Sequence, residues 1–107
     1  MEWIDFCRTL PQSYEDYPFG EGWTVMRRRD SGKGFAFFFR REGVLQVNLK
    51  CGPMEADFLR SVYSGVRPAY HMNKVHWNSV LLDGSVPEEE IRRMILNSYD
   101  LTSPHKK

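Results

Sequence analysis

A chain of 107 residues with 41% apolar and 27% charged side chains has the make-up of one ordinary globular domain, which excludes disorder and collagen-like structure. Seven Phe, five Tyr and three Trp supply enough large apolar surface to build a core without disulfide staples. A net charge of +1 argues against bulk capture of a polyanion, yet the charge is uneven: residues 1–22 hold one Arg against five carboxylates, and residues 23–50 hold seven Lys/Arg against two acids.

The first helix is predicted from Trp3, Phe6, Cys7 and Leu10, which fall at i, i+3, i+4 and i+7 and line one helical face. Pro11 stops it, because the ring cannot continue the turn. Residues 12–22 read as a linker, with Tyr14, Tyr17 and Phe19 along the core edge and Gly20 and Gly22 at its end. The period then changes to two. Trp23 to Arg28 is a strand, residues 30–34 are a turn, Phe35 to Arg41 is a second strand, Glu42-Gly43 is a tight turn, and Val44 to Lys50 is a third strand. Leu45, Val47 and Leu49 alternate with Gln46, Asn48 and Lys50, which predicts one dry face and one wet face.

Gly52-Pro53 opens a second helix with Phe58, Leu59 and Val62 facing inward, and Gly65 suits a left-handed cap at its end. Val66 to Tyr70 is extended and His76 to Leu82 is a further strand. Asp83-Gly84 is a turn, Ser85 and Glu88 have capping-box spacing, and Ile91, Met94, Ile95 and Ser98/Tyr99 give the inward stripe of a third helix. Residues 102–107 read as a frayed polar tail. The chain is thus a single α+β domain over 1–107, in the order α-β-β-β-α-β-β-α, with helices on one face of an antiparallel sheet and the other face largely wet.

The longest apolar run, Phe35 to Phe39, has five residues, far short of the roughly 18 that a membrane span needs. The N-terminus carries neither the basic start nor the apolar stretch of a signal peptide, so a cytoplasmic location is expected and no membrane partner. Cys7 and Cys51 are expected to be free thiols. No CxxC, HExxH, GxSxG or Gly-Lys-Ser/Thr phosphate loop occurs, so neither an enzyme, a cofactor, a metal site nor a small-molecule substrate is expected.

The densest chemistry lies between residues 67 and 78. Arg67 and Lys74, with Lys50 nearby in the pattern, suit phosphate oxygens; Asn73 suits base edges; Tyr70 and Trp77 suit stacking; His71 and His76 add charge on acidification. The competing assignment places Tyr70 and Trp77 in the core and ties the polar groups into a loop network.

The same stretch carries a resemblance. The run Gly65 to Lys74 (GVRPAYHMNK), then His76-Trp77-Asn78, Leu82 to Pro87 (LDGSVP), Ser98-Tyr99 and the Val47 to Lys50 strand end (VNLK) resemble the MmcQ/YjbR-like family of small bacterial proteins over nearly the whole chain. Two positions depart from its pattern: Gly52 where the family often has an acidic residue, and Tyr63-Ser64-Gly65 where it often has Tyr-Pro-Gly. The resemblance implies a CyaY-like fold related to that of frataxin and DNA binding through a double-wing arrangement of strand-linked loops. It implies no catalytic residues.

Three functions follow as expectations. The first is DNA binding through the exposed sheet face, with Lys50, Arg67, Tyr70, His71, Asn73, Lys74, His76 and Trp77 as contacts, the turns at 30–34 and 42–43 as wings, and Arg27, Arg28, Arg29, Lys33 and Arg41 on phosphates, aided by Arg40. The second is a protein-interaction module using the same face, with Trp77, Tyr70 and His71 as the hot spot. The third is a frataxin-like metal handler using Glu2, Asp5, Glu15, Asp16 and Glu21 as oxygen ligands.

Overall fold

The computed structural model describes residues 2–104. Three helices, α1 (Glu2–Arg8), α2 (Pro53–Val62) and α3 (Glu88–Leu101), accompany six strands, β1 (Ser13–Asp16), β2 (Trp23–Arg28), β3 (Gly34–Arg41), β4 (Val44–Lys50), β5 (Val66–Pro68) and β6 (Trp77–Leu81). The strands form one antiparallel sheet in the order β1-β2-β3-β4-β6-β5. The α+β class and the meander follow the sequence pattern. The linker does not: Ser13 to Asp16 pairs with Arg28 to Val25 and forms an edge strand. It carries three polar residues and lacks an apolar alternation, so no period marks it.

The helices pack on one sheet face. Trp3, Ile4 and Cys7 of α1, Ala56 and Leu59 of α2, and Ile91, Met94 and Ile95 of α3 meet Met26, Ala36, Phe38, Val47, Leu49, Val66 and Val80 in one core. These sheet residues lie on a common face because Ala36 pairs with Leu49, Phe38 with Val47, and Val47 with Val80. Phe35 joins this core out of turn. The register shifts between Met26 and Arg27, and the extra residue on β3 turns its ring onto Tyr99, at 5.2 Å and 88°. On the other side of β3, the Ser98 hydroxyl of α3 bridges β3 and β4 just past their last pair, Ala36 with Leu49: it donates to the Phe35 carbonyl at 2.6 Å and accepts the Lys50 N–H at 2.9 Å.

The second helix corrects its prediction. Ala56 and Leu59 are buried, whereas Phe58 and Val62 are exposed with Met54 on the outer side. The helix presents small Ala56 to the sheet, which lets its backbone approach closely enough for the Ala56 carbonyl to accept Asn78 Nδ2 at 3.3 Å. Gly65 is no left-handed cap; a β-carbon there would lie 2.3 Å from Ser85 Oγ, so glycine is required by packing. Ser85 does not cap α3. Its hydroxyl and amide both donate to Asp83 Oδ1, holding that carboxyl below the usual range, and Pro87 occupies the cap position. The tail is firmer than expected, since Thr102 is buried and donates to the Ser98 and Tyr99 carbonyls; residues 105–107 lie outside the described residues.

The face away from the helices is also covered. Gln46 and Asn48 share that face as predicted, but both are buried. Val25, Phe39, Ala69 and Leu81 are buried too and stand outside the helix-side core. They form a second, thinner apolar layer under the segment after β5.

Both thiols are free and buried. Burial pushes Cys7 from the ordinary 9.0 up to about 12. The folded state therefore holds this proton more tightly than the unfolded chain. The associated stability is intact below about pH 9 and is lost as the pH rises toward 12. The urea midpoint should fall across that window, and less so in Cys7→Ala. Ser98→Ala should cost about 2 kcal/mol in urea unfolding, because it orphans a buried N–H and a buried carbonyl together.

Candidate nucleic-acid interface

The site begins with two buried polar side chains on the non-helix face. Asn48 of β4 and Ser79 of β6 are direct cross-strand partners. The Ser79 hydroxyl donates to Asn48 Oδ1, and also accepts the Tyr70 N–H at 2.9 Å. Asn48 Nδ2 donates to the Tyr70 carbonyl at 2.9 Å. Both peptide groups of one loop residue are thus fixed to the sheet. All side-chain N and O atoms buried among the described residues have partners. The next residue, His71, takes a left-handed conformation at φ 63°, a region that His enters more readily than most residues. It reverses the chain and lays its ring against Tyr70, 4.0 Å between centroids.

Tyr70 is thereby laid on an aromatic ladder. Trp23 stacks on Phe39 at 4.6 Å, Phe39 stacks on Tyr70 at 5.3 Å, and the Arg41 guanidinium lies 4.4 Å over the Tyr70 ring. Phe19 meets Trp23 edge-on at 5.7 Å. Phe37 meets Trp77 edge-on at 5.5 Å, and Trp77 is the cross-strand partner of Lys50. Between the two aromatic groups lies a pocket of about 370 Å³ lined by Phe19, Trp23, Phe37, His71 and Met72. Arg41 and Lys50 form no ion pair among the described residues.

The predicted site residues therefore divide. Tyr70 and His71 sit over Phe39; Trp77 and Lys50 sit beside Phe37. Arg67 pairs with Ser79, placing it on the same face but on the edge strand, where Nε donates to the Ser64 carbonyl. Asn73 is a turn residue whose Oδ1 accepts the Val75 and His76 amides at 2.8 and 3.1 Å. Lys74 and His76 are exposed on that turn, whose carbonyls at Lys74 and Trp77 accept the Arg60 guanidinium from α2. Sequence reasoning missed Phe19, Trp23, Phe37, Phe39, Arg41 as a ring partner, and Met72. The alternating Trp23, Phe37 and Phe39 were the available signal, because their register puts three large rings on one face.

The wings and their cations do not converge. The two turns lie at opposite ends of β3, whose eight residues hold them roughly 25 Å apart at about 3.3 Å per residue. Arg27 Nε donates to Asp16 at 2.6 Å. Arg28 is buried on the helix side, where it donates to Asp30 and the Tyr99 carbonyl and holds the Asp30 carboxyl below its usual range. Arg29 lies over Tyr14. Three of the five expected acidic metal ligands are likewise engaged in ion pairs: Asp5 and Glu15 with Arg8, and Asp16 with Arg27. No group of three or more metal-ligating side chains occurs among the described residues. No helix there is long and apolar enough to cross a membrane.

Comparison with known proteins shows the family and the fold. The YjbR family model matches residues 8–101. The uncharacterised protein YjbR of Escherichia coli K12 is 33% identical over 98 residues, covering 92% of this chain and 81% of that one. The uncharacterised YyaQ of Bacillus subtilis is 45% identical over 56 residues, covering 52% and 47%. A crystal structure of a Pseudomonas syringae protein superposes with a TM-score of 0.84 at 31% identity, covering 94% of this chain and 96% of that one. A Deinococcus radiodurans protein with a DUF419 domain superposes at 0.83 with 31% identity, covering 94% and 75%.

The clamp makes a direct prediction. Asn48→Ala removes the donor to Tyr70 and the acceptor of Ser79, and should cost about 2–3 kcal/mol. Amide exchange at residues 70–72 should accelerate more than exchange in β3, since the loop loses its anchor while the helix-side core stays intact.

Proposed function

The chain belongs to the YjbR family, and we propose that it binds DNA through the sheet face opposite its helices. The observation that carries this reading is the aromatic ladder of Trp23, Phe39 and Tyr70 with the Arg41 guanidinium resting on its end. Aromatic faces stack bases and cations beside them meet phosphates, and neither contact depends on sequence. Arg41, Lys50, Lys74 and Arg67 supply the phosphate contacts; His71, Trp77 and Trp23 supply the base contacts, while Tyr70, stacked on Phe39 beneath Arg41, carries the cation rather than a base. Asn73 serves the loop rather than a base, because its side-chain oxygen already accepts two amides. On this reading the docking surface is a platform rather than a pair of wings: it consists of the half-exposed rings and the Tyr70–Met72 loop that cover this sheet face.

A protein partner is favoured by a separate observation. Met54, Phe58 and Val62 are exposed at i, i+4 and i+8 along α2, a stripe suited to another apolar surface. This stripe and the aromatic face are different surfaces, so the two readings can be tested independently.

Titration of labelled DNA at several salt concentrations tests the proposal. Lys50→Ala and Lys74→Ala should each weaken binding for all sequences alike. Each should also flatten the plot of log affinity against log salt by about 0.9 for duplex or about 0.7 for a single strand. Folded variants with unaltered affinity and slope would remove these residues from the interface, and loss of all DNA binding in the wild type would overturn the reading.

A further inference from the structure

We infer that the pocket between Phe19, Trp23, Phe37, His71 and Met72 receives one unstacked nucleobase of a DNA strand. This rests on the DNA-binding reading and specifies what the face recognises: unpaired bases rather than the outside of a duplex. The walls are three aromatic rings and a thioether, and the volume, about 370 Å³, lies at the small end of the range for small-molecule sites. Flat apolar walls suit a flat heteroaromatic ring. The one polar group at the rim is the His71 imidazole, which can donate or accept a hydrogen bond at a base edge.

The walls are held in place before any ligand arrives. Trp23 is stacked on buried Phe39, Phe37 is braced edge-on by Trp77, and Phe19 closes against Trp23. His71 is set by the peptide groups before it, which Asn48 and Ser79 fix to the sheet. A pocket that is already ordered costs little further entropy on binding.

The cations distinguish a nucleotide from an aromatic amino-acid side chain. Arg41 lies over Tyr70, whose ring touches His71 at one rim of the pocket. Lys50 is the cross-strand partner of Trp77, whose ring touches Phe37 at another. Each cation thus stands one ring beyond a lining residue, and is assigned to the phosphates of the neighbouring nucleotides. A duplex keeps its bases paired and stacked and cannot fill the pocket without opening.

The test uses the full chain and three labelled probes: a short oligothymidylate, an abasic tetrahydrofuran strand of the same length, and a blunt duplex. The oligothymidylate should bind roughly tenfold more tightly than the abasic strand, the gain expected of one stacked base. Phe19→Ala should erase that preference and leave abasic affinity unchanged; Phe19 is exposed, so its loss spares the core. Met72→Glu, which puts a carboxylate into the pocket, should erase the preference too, while weakening both single strands because the carboxylate repels phosphate. Equal affinity for the two single strands, a preference for duplex over both, or a base preference that survives in both folded variants would overturn the base pocket and leave the DNA reading standing. Failure of all three probes to bind would overturn both. A neutral Trp-containing peptide that binds the wild type but not Phe19→Ala, with no base preference between the strands, would make the pocket a protein-recognition site and overturn the inference.

Discussion

The open face of this protein depends on the closure of one small hydrogen-bond ring. Ser79 and Asn48 face each other across β6 and β4, and between them they take both the N–H and the carbonyl of Tyr70. A loop lying across a sheet would otherwise bury peptide groups without partners, at a cost of roughly 1–3 kcal/mol each. The ring removes that cost and fixes the loop in one place. The later features follow from it: Tyr70 comes down on Phe39, His71 must reverse the chain in a left-handed conformation, and Arg41 has an aromatic face to rest on.

The sheet is therefore used on both sides, for different ends. The helix side is a packed core closed by Ser98, which bridges Phe35 of β3 and Lys50 of β4 just past the last pair of their ladder. The other side has a shallow buried layer beneath half-exposed rings. Buried Phe39, held between Trp23 and Tyr70, makes that layer stiff. Rings left half-exposed on a stiff backing are poor core residues and good contact residues, because their remaining area is free and their orientation is already set.

The meander and the third helix were legible because their side chains follow one period over several residues, as Val44 to Lys50 and Ile91 to Ser98 do. The edge strand at Ser13 to Asp16 was not, since an edge strand that pairs on one side needs no apolar alternation. The outward turn of Phe58 and Val62 was also hidden. Hydrophobicity favours burial, but the close approach demanded by Ala56 and Asn78 decides the rotation of α2. Of the candidate site, Tyr70, His71 and Trp77 were legible from the clustering of donors and aromatics at 67–78, and Lys50 from the alternation along its strand. Trp23 and Phe37 were not, because a large ring on a strand reads as core until the covering loop is known, and Phe19 was not, because it lies between β1 and β2 where no period places it. Wetness was misjudged for the same reason: alternation tells which face Asn48 occupies and is silent on what a loop some twenty residues later lays over it.

Several polar residues between Asn48 and Ser98 have a structural duty here. Asn48 and Ser79 hold the loop, Asn78 joins α2 to β6, Ser98 joins α3 to two strands, and Asn73 shapes its own turn. The residues left over are Lys50, Arg41, His71, Lys74, Trp77 and the rings around the pocket. This division bears on charge. A chain of net charge +1 gains little from its overall field, and several of its cations are already committed: Arg8, Arg27, Arg28 and Arg93 all sit in carboxylate pairs. What remains on the open face is a few cations beside aromatic rings. On the proposed DNA reading, such a surface would draw much of its binding energy from stacking and comparatively little from phosphate contacts, and its affinity would decline with salt less steeply than that of a strongly basic domain. A near-neutral chain is consistent with a nucleic-acid partner only on those terms, and they are the terms that the aromatic platform offers.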